Sequence, residues 1–236
     1  KETQDYIVKY IEKQINKNKN LERLSITWFG GEPLLYADII DYISTQLIEV
    51  CNSKGVQYHS GIISNGRFLT QTNAQMLNKN KVRHAQISID GLKEYYMSQK
   101  QATSVDFEQT ISNIINASNY LSISVRINVK DSIDEAIALT DYLLKERGLD
   151  GKIKIYIAHT RDYDKDYSAV EEQKAHGKFL DMEGQYISLF GKNGKYNKKS
   201  FEYKIPKRRG ASCFSSCCAN SCIGPKGEFY QCEHHF

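Results

Sequence analysis

No apolar run in these 236 residues approaches the ~20 needed for a membrane-crossing helix. The first residues, from Lys1, form a polar helical pattern and lack the apolar stretch of a secretion signal. A membrane span and a secretory route are therefore not expected, and a cytoplasmic setting is the default. A strong net charge is also lacking, the formal value being +4. What excess exists is local: Lys192, Lys195, Lys198, Lys199, Lys204, Lys207, Arg208 and Arg209 face only Glu202. Eight bases against one acid give residues 192–209 a net of +7, and the rest of the chain about −3. That distribution argues against a nucleic-acid-coating surface and reads as a solvated basic linker in preference to an arm for phosphate or acidic peptide. No short internal repeat is present. At 40% hydrophobic and 25% charged residues, the chain can bury a core as one domain or as one domain with an appendage.

What is present is an alternation of helix and strand signals. Ile7, Tyr10, Ile11 and Ile15 recur at helical spacing, and residues 24–29 then read as a strand. A helix over 37–50 precedes a strand near 58–64, and a helix over 72–80 precedes "AQISID" at 85–90. Phe107, Ile111, Ile114, Ile115 and Leu121 mark a helix before the strand "SISVRINV" at 122–129. Ile137, Thr140, Leu143 and Leu144 mark another, with Gly148 suited to its end, before "KIKIYIAH" at 152–159. Repeated βα units of this size imply a parallel sheet or barrel with right-handed crossovers.

The strands lack the continuous apolar runs of a fully buried parallel sheet. Leu24, Ile26 and Trp28 alternate with Ser25 and Thr27; Ala85, Ile87 and Ile89 with Gln86, Ser88 and Asp90; Val125, Ile127 and Val129 with Arg126 and Asn128. Side chains alternate across a strand, so one face can pack against helices while the other stays polar. A closed barrel fills its interior with branched apolar layers, so polar inner faces imply an open barrel with a polar ligand in its lumen.

In such folds the chemistry sits at the C-terminal ends of the strands. Three turns gather there: "GGEP" at 30–33, "SNG" at 64–66 and "SIDG" at 88–91, with Asp90, Arg126 and Asn128 expected to look into the same space. Gly30 and Gly31 leave backbone bare for close approach, Glu32 offers a carboxylate for a cationic amine, and Pro33 stiffens the turn. Singly, each is a common turn former; in register at successive strand ends they point to one site.

Five of the six cysteines, Cys213, Cys217, Cys218, Cys222 and Cys232, lie within twenty residues, whereas Cys51 stands alone in a helical stretch as a small core residue. With no secretory feature, metal binding is favoured over disulfides. Cys213 and Cys217 have CxxxC spacing, and Gly227 stands five positions before Cys232. Such thiolates can hold an iron–sulfur cluster; zinc is the rival, because Cys232, His234 and His235 could join two upstream cysteines.

The order "GGEP", "SNG", "SIDG", "RIN" and a cysteine segment ending "GEFYQCEHHF" resembles the radical S-adenosylmethionine (SAM) enzymes with a SPASM domain, above all the anaerobic sulfatase-maturating enzymes and related peptide maturases. The specific likenesses are "WFGGEP", similar to that family's motif for the methionine amino group, and Cys217, nine residues, Gly227, four residues, Cys232, similar to the opening of the SPASM cysteine pattern. The resemblance implies a partial open (β/α)6-type TIM barrel over residues 1–190, a basic linker over 191–210 and the start of a SPASM segment over 211–236. It implies SAM and [4Fe–4S] clusters as cofactors. Gly30, Gly31, Glu32 and Pro33 would grip the amino group, Ser64 and Asn65 would lie along the cofactor, and Ser88, Asp90 and Arg126 would address its ribose and carboxylate or the substrate. Cys213, Cys217 and Cys232 would bind an auxiliary cluster, with Cys218 or Cys222 able to replace Cys217, and Glu233 stands where the sulfatase-maturating enzymes carry an aspartate base. The implied activity is modification of a peptide or protein side chain by hydrogen abstraction, as formylglycine formation or crosslinking, with a flavodoxin or ferredoxin as reductant.

The family's CxxxCxxC is absent from this sequence. The expectation is a piece cut at both ends from a longer enzyme, unable by itself to start the radical reaction. Two other classes stay open: a non-catalytic peptide-binding barrel, and a zinc-stapled barrel enzyme.

Overall fold

The computed structural model describes residues 1–100, 102–160, 168–192, 196–201 and 221–230. They form two compact units, one built from residues 25–37 and the described part of 59–203, the other from 1–24, 38–58 and 221–230.

The larger unit holds a five-stranded sheet in the order β1-β2-β3-β4-β5. The strands are β1 (Arg23–Trp28), β2 (Gln57–Ser64), β3 (Val82–Ser88), β4 (Ser122–Val129) and β5 (Ile153–His159), the first two reaching it with their C-terminal parts. The pairs β2/β3, β3/β4 and β4/β5 are parallel, which fits the expected open α/β barrel sheet. Among the described residues the sheet does not close; a single parallel bridge from Ile155 to Phe201 extends it past β5.

The expected two faces are present. Ile62, Ala85, Ile87, Ile123, Val125 and Ile155 are each at most 1% exposed and stand in register across β2 to β5. Each of the valine and isoleucine side chains contributes roughly 1.5–3 kcal/mol of hydrophobic stabilisation, and Ala85 roughly 1 kcal/mol or less. The opposite face carries Gln86, Ser88, Arg126, Asn128 and Tyr156, the register pairing Ser88 with Arg126 and Arg126 with Tyr156. Tyr156 Oη donates to Gln86 Oε1 at 2.6 Å, reaching across β4.

Helices fill the crossovers: α3 (Gln71–Lys79), α4 (Lys93–Lys100), α5 (Ser104–Ala117), α6 (Asp134–Asp141) and α7 (Ala169–Ile187). Helix α5 begins with a capping box in which Thr103 Oγ1 accepts from the Asp106 amide and the Asp106 carboxylate accepts from the Thr103 amide. Those Thr103 bonds, more than Arg67 beside it, hold the Asp106 carboxyl below the usual carboxylate range. Helix α6 passes at Tyr142 into a π-helical turn ending at Glu146, and Gly148 follows with φ +65°. The expected helix was thus right in place but not in regularity, because periodicity cannot register one extra residue per turn.

In the smaller unit, α1 (Glu2–Lys17), α2 (Ala37–Lys54, from Asp38 on) and the antiparallel hairpin of β6 (Cys222–Ile223) and β7 (Phe229–Tyr230) come together. Tyr10 packs on Phe229 at 4.4 Å between ring centres, and Cys51 is fully buried on α2, as its lone position suggested. Among the described residues no helix is long and apolar enough to cross a membrane.

Candidate functional site

The site starts where β1 ends. Beyond Trp28 the chain turns through Gly30, at φ +145°, and a Cβ built on Gly30 or Gly31 meets nothing within 4 Å. Bare backbone therefore faces open space, as a ligand approaching main-chain groups requires. Glu32 caps the 3-10 turn Pro33–Tyr36, whose first position Pro33 fills with its preset φ.

The Glu32 carboxylate ties two strand ends together. Its Oε1 accepts from the Leu34 amide at 3.0 Å and from Ser64 Oγ at 2.8 Å, and Oε2 accepts from the Asn65 amide at 2.8 Å. A carboxylate has about four acceptor positions, so three are met by described residues and, among these, none takes the remaining one on Oε2. Ser64 is 5% exposed, in register with Ile87 on the helix-facing side, and its Oγ also accepts from the Gly66 amide at 3.0 Å. Asn65 turns its Oδ1 to the Arg67 amide at 2.9 Å. The "SNG" turn is then fastened to α5, with Asn113 Nδ2 donating to the carbonyls of Gly66 at 2.9 Å and Arg67 at 2.8 Å, and Arg67 paired with Asp106.

A second network closes the end of β3. Asp90 Oδ1 accepts from Asn128 Nδ2 at 2.8 Å and from the Asn128 amide at 3.3 Å, while Arg126 Nε donates to Asn128 Oδ1 at 3.0 Å. Lys100, the last residue of α4, returns to this turn: its Nζ donates to the Ser88 carbonyl at 2.8 Å and lies 3.9 Å from Asp90 Oδ2. Burial pulls the Lys100 ammonium below its ordinary pKa, against Asp90 and Glu32, which both favour its charge. The two networks thus share one electrostatic neighbourhood. Sequence reading reached Asp90, Arg126 and Asn128 but missed Lys100, whose helix KEYYMSQK buries only Tyr96 and shows no apolar stripe.

Cys213, Cys217, Cys218, Cys232 and Glu233 lie outside the described residues, as does most of the basic segment. Of the clustered cysteines, Cys222 is described, on β6. Among the described residues no three His, Cys, Asp or Glu side chains form a group that could hold a metal ion.

A family model, the Radical SAM superfamily, matches residues 1–141. The chain belongs to the radical SAM superfamily. Its members bind SAM and a [4Fe–4S] cluster. Solved structures of anSMEcpe, at TM-scores of 0.56 and 0.60, agree at the level of fold. Native anSMEcpe with bound AdoMet is 18% identical, the match covering 86% of this chain and 54% of that one at a TM-score of 0.60. Native anSMEcpe with bound AdoMet and Kp18Cys peptide is also 18% identical, covering 80% and 53% at 0.56. Streptococcus suis SuiB bound to S-adenosylmethionine is 18% identical, covering 80% and 40% at 0.49. The chain spans about half the length of the anSMEcpe chains it matches. No curated protein matches it in sequence.

Of the family's two cofactors, SAM fits what this radical SAM chain presents: open backbone at Gly30 and Gly31, one acceptor on Glu32 that no described residue takes, and a polar face on the sheet. The sequence holds no CxxxCxxC for the cluster.

Proposed function

We propose that the chain is the SAM-holding barrel of an enzyme that modifies a side chain of a bound peptide or protein. The observation that carries this reading is the bare Gly30–Gly31 backbone opening beside a carboxylate that joins the ends of β1 and β2. The fold shared with anSMEcpe, one of whose structures holds both AdoMet and a Kp18Cys peptide, supports the peptide as substrate class.

In this reading Gly30, Gly31 and Glu32, stiffened by Pro33, receive the methionine ammonium, whose N–H donates a hydrogen bond to Glu32 Oε2. Ser64 and Asn65 act by holding Glu32 in place. Asp90 and Arg126, beside Ser88, meet the ribose and the carboxylate. When bound, SAM supplies, with an electron from a [4Fe–4S] cluster, the hydrogen-abstracting radical. In the same reading residues 1–190 form a (β/α)6-type barrel, 191–210 a basic linker, and 211–236 the start of a SPASM segment. Cys213, Cys217 and Cys232 ligate an auxiliary cluster, and Glu233 accepts a proton from the substrate side chain. The product is formylglycine or a crosslink, the reductant a flavodoxin or ferredoxin, and the setting the cytoplasm.

Gly31 gives the sharpest test of the site. Its φ lies outside the left-handed region and its missing Cβ faces open space, so Gly31→Ala should change stability by no more than about 0.5 kcal/mol. A methyl group there blocks one backbone contact, and SAM affinity by calorimetry should fall roughly tenfold. Unchanged affinity at unchanged stability rejects the site. For the activity, the protein expressed from its natural coding sequence, reconstituted anaerobically with iron and sulfide and reduced with dithionite, should form deoxyadenosine from SAM and alter the mass of a cysteine-containing peptide. SAM binding without deoxyadenosine would identify a non-catalytic barrel, and a colourless zinc protein a zinc-stapled one.

A further inference from the structure

A lysine at the end of a helix ordinarily keeps its ammonium in water, where solvation is cheapest and the helix C-terminus favours it. Lys100 does not. Its side chain is 24% exposed, its Nζ lies over the Tyr96 ring 5.7 Å from the centre, and its ammonium gives up solvation to reach the end of β3. There it donates to the carbonyl of Ser88, the residue twelve positions earlier from which the turn departs. The Asp90 carboxylate is consequently fixed on two sides, with Asn128 on Oδ1 and the Lys100 charge 3.9 Å from Oδ2. At that distance the ammonium attracts Oδ2 without taking its lone pairs, which no other described residue occupies.

On the reading of this site as a SAM site, we propose that Lys100 is a positioning residue. It holds the Ser88–Asp90 turn and keeps Oδ2 of Asp90 aimed at the hydroxyl pair of the nucleoside half of the ligand. The ligand class served by Lys100 is therefore a ribonucleoside thioether or sulfonium, recognised at its diol, whereas the Gly30–Glu32 turn serves the amino-acid half. The Glu32 charge also favours the ammonium, so the same cation lowers the cost of holding two acids around one ligand.

The experiment uses two probes with the 236-residue chain: SAM, and 5′-methylthioadenosine, which keeps the ribose and lacks the amino acid. Calorimetry on Lys100→Met should show both ligands weakened roughly tenfold, with Lys100→Arg, which keeps a donating cation, within about threefold of the parent. In an Asp90→Asn background Lys100→Met should add less than about twofold, since residues acting as one unit are not additive. Binding is compared at temperatures where urea unfolding shows Lys100→Met to be folded, since loss of its bond to the Ser88 carbonyl should lower the midpoint; if Met does not fold, Lys100→Gln takes its place. Unchanged binding of both ligands, a loss in Lys100→Arg equal to that in Lys100→Met, or full additivity with Asp90→Asn overturns the proposal. Gly31→Ala separates the two readings, because it should weaken SAM and leave methylthioadenosine untouched. If it does so while Lys100→Met affects neither ligand, only the role of Lys100 falls. If Gly31→Ala leaves SAM unaffected, or the parent chain binds neither ligand, the SAM site falls, and the Lys100 role with it.

Discussion

Replacing Glu32 with alanine should cost this chain stability and SAM together. The carboxylate accepts three hydrogen bonds, from the amides of Leu34 and Asn65 and from Ser64 Oγ. Bonds to an ionised acceptor contribute about 1.5–3 kcal/mol each, but at a partly exposed site water replaces some of what is lost. A net loss of about 2–4 kcal/mol in urea unfolding is expected. SAM affinity should fall by about a hundredfold or more, since the acceptor for the ammonium goes and the β1 turn loses its tie to β2. Glu32→Gln refines the result: the amide keeps the volume but turns a donor toward groups that are themselves donors, so it should lose nearly as much stability as alanine. An alanine variant as stable as the parent removes the clamp, and one that binds SAM as tightly removes the ligand role.

Much of the larger unit was legible because its strands speak twice, once in β-branched residues and once in period-two alternation. Ile123, Val125 and Ile127 against Ser124, Arg126 and Asn128 fix both the position of β4 and the face it turns to the polar side. Edges were less clear. The third strand starts at Val82, earlier than the run "AQISID", because Arg83 and His84 break the apolar pattern, although Val82 and His84 pair with β2 on either side of an irregularity at Arg83. The turns at 30–33, 64–66 and 88–91 could be placed at strand ends, but which atoms they join could not. Ser64, expected along the cofactor, is buried on the helix side and acts on Glu32, a relation across 32 residues that no local pattern carries. Lys100 escaped for a different reason. Its helix is short and mostly polar, and the bond that gives the lysine its place is to a backbone carbonyl, which leaves no mark on composition.

Fold and site meet at Gly66, the final residue of "SNG". Its φ is +82°, a region where an L side chain costs about 1–2 kcal/mol. A Cβ there would stand 2.9 Å from Ile87 Cγ2 and 3.1 Å from Thr110 Cγ2, two fully buried side chains. Neither can easily withdraw, since Ile87 is a core residue of β3 and Thr110 Oγ1 bonds the Asp106 carbonyl at 2.8 Å. Overpacking of that kind costs about 1–3 kcal/mol. Gly66→Ala should therefore lose about 2–4 kcal/mol in urea unfolding, the two costs being partly relieved together. Gly148→Ala supplies the control: φ is +65° but nothing stands within 4 Å, so only the backbone part, about 1–2 kcal/mol, should appear. The difference between the two variants isolates the clash. It should also reach the ligand, because the Gly66 amide donates to Ser64 Oγ and that hydroxyl donates to Glu32. A displaced turn loosens the carboxylate that SAM needs, so Gly66→Ala should weaken SAM binding at temperatures where it is still folded, whereas Gly148→Ala should not. Equal losses of stability in the two variants, or parent-like SAM affinity in folded Gly66→Ala, would show that the turn yields to the extra methyl group and that the clamp does not depend on it.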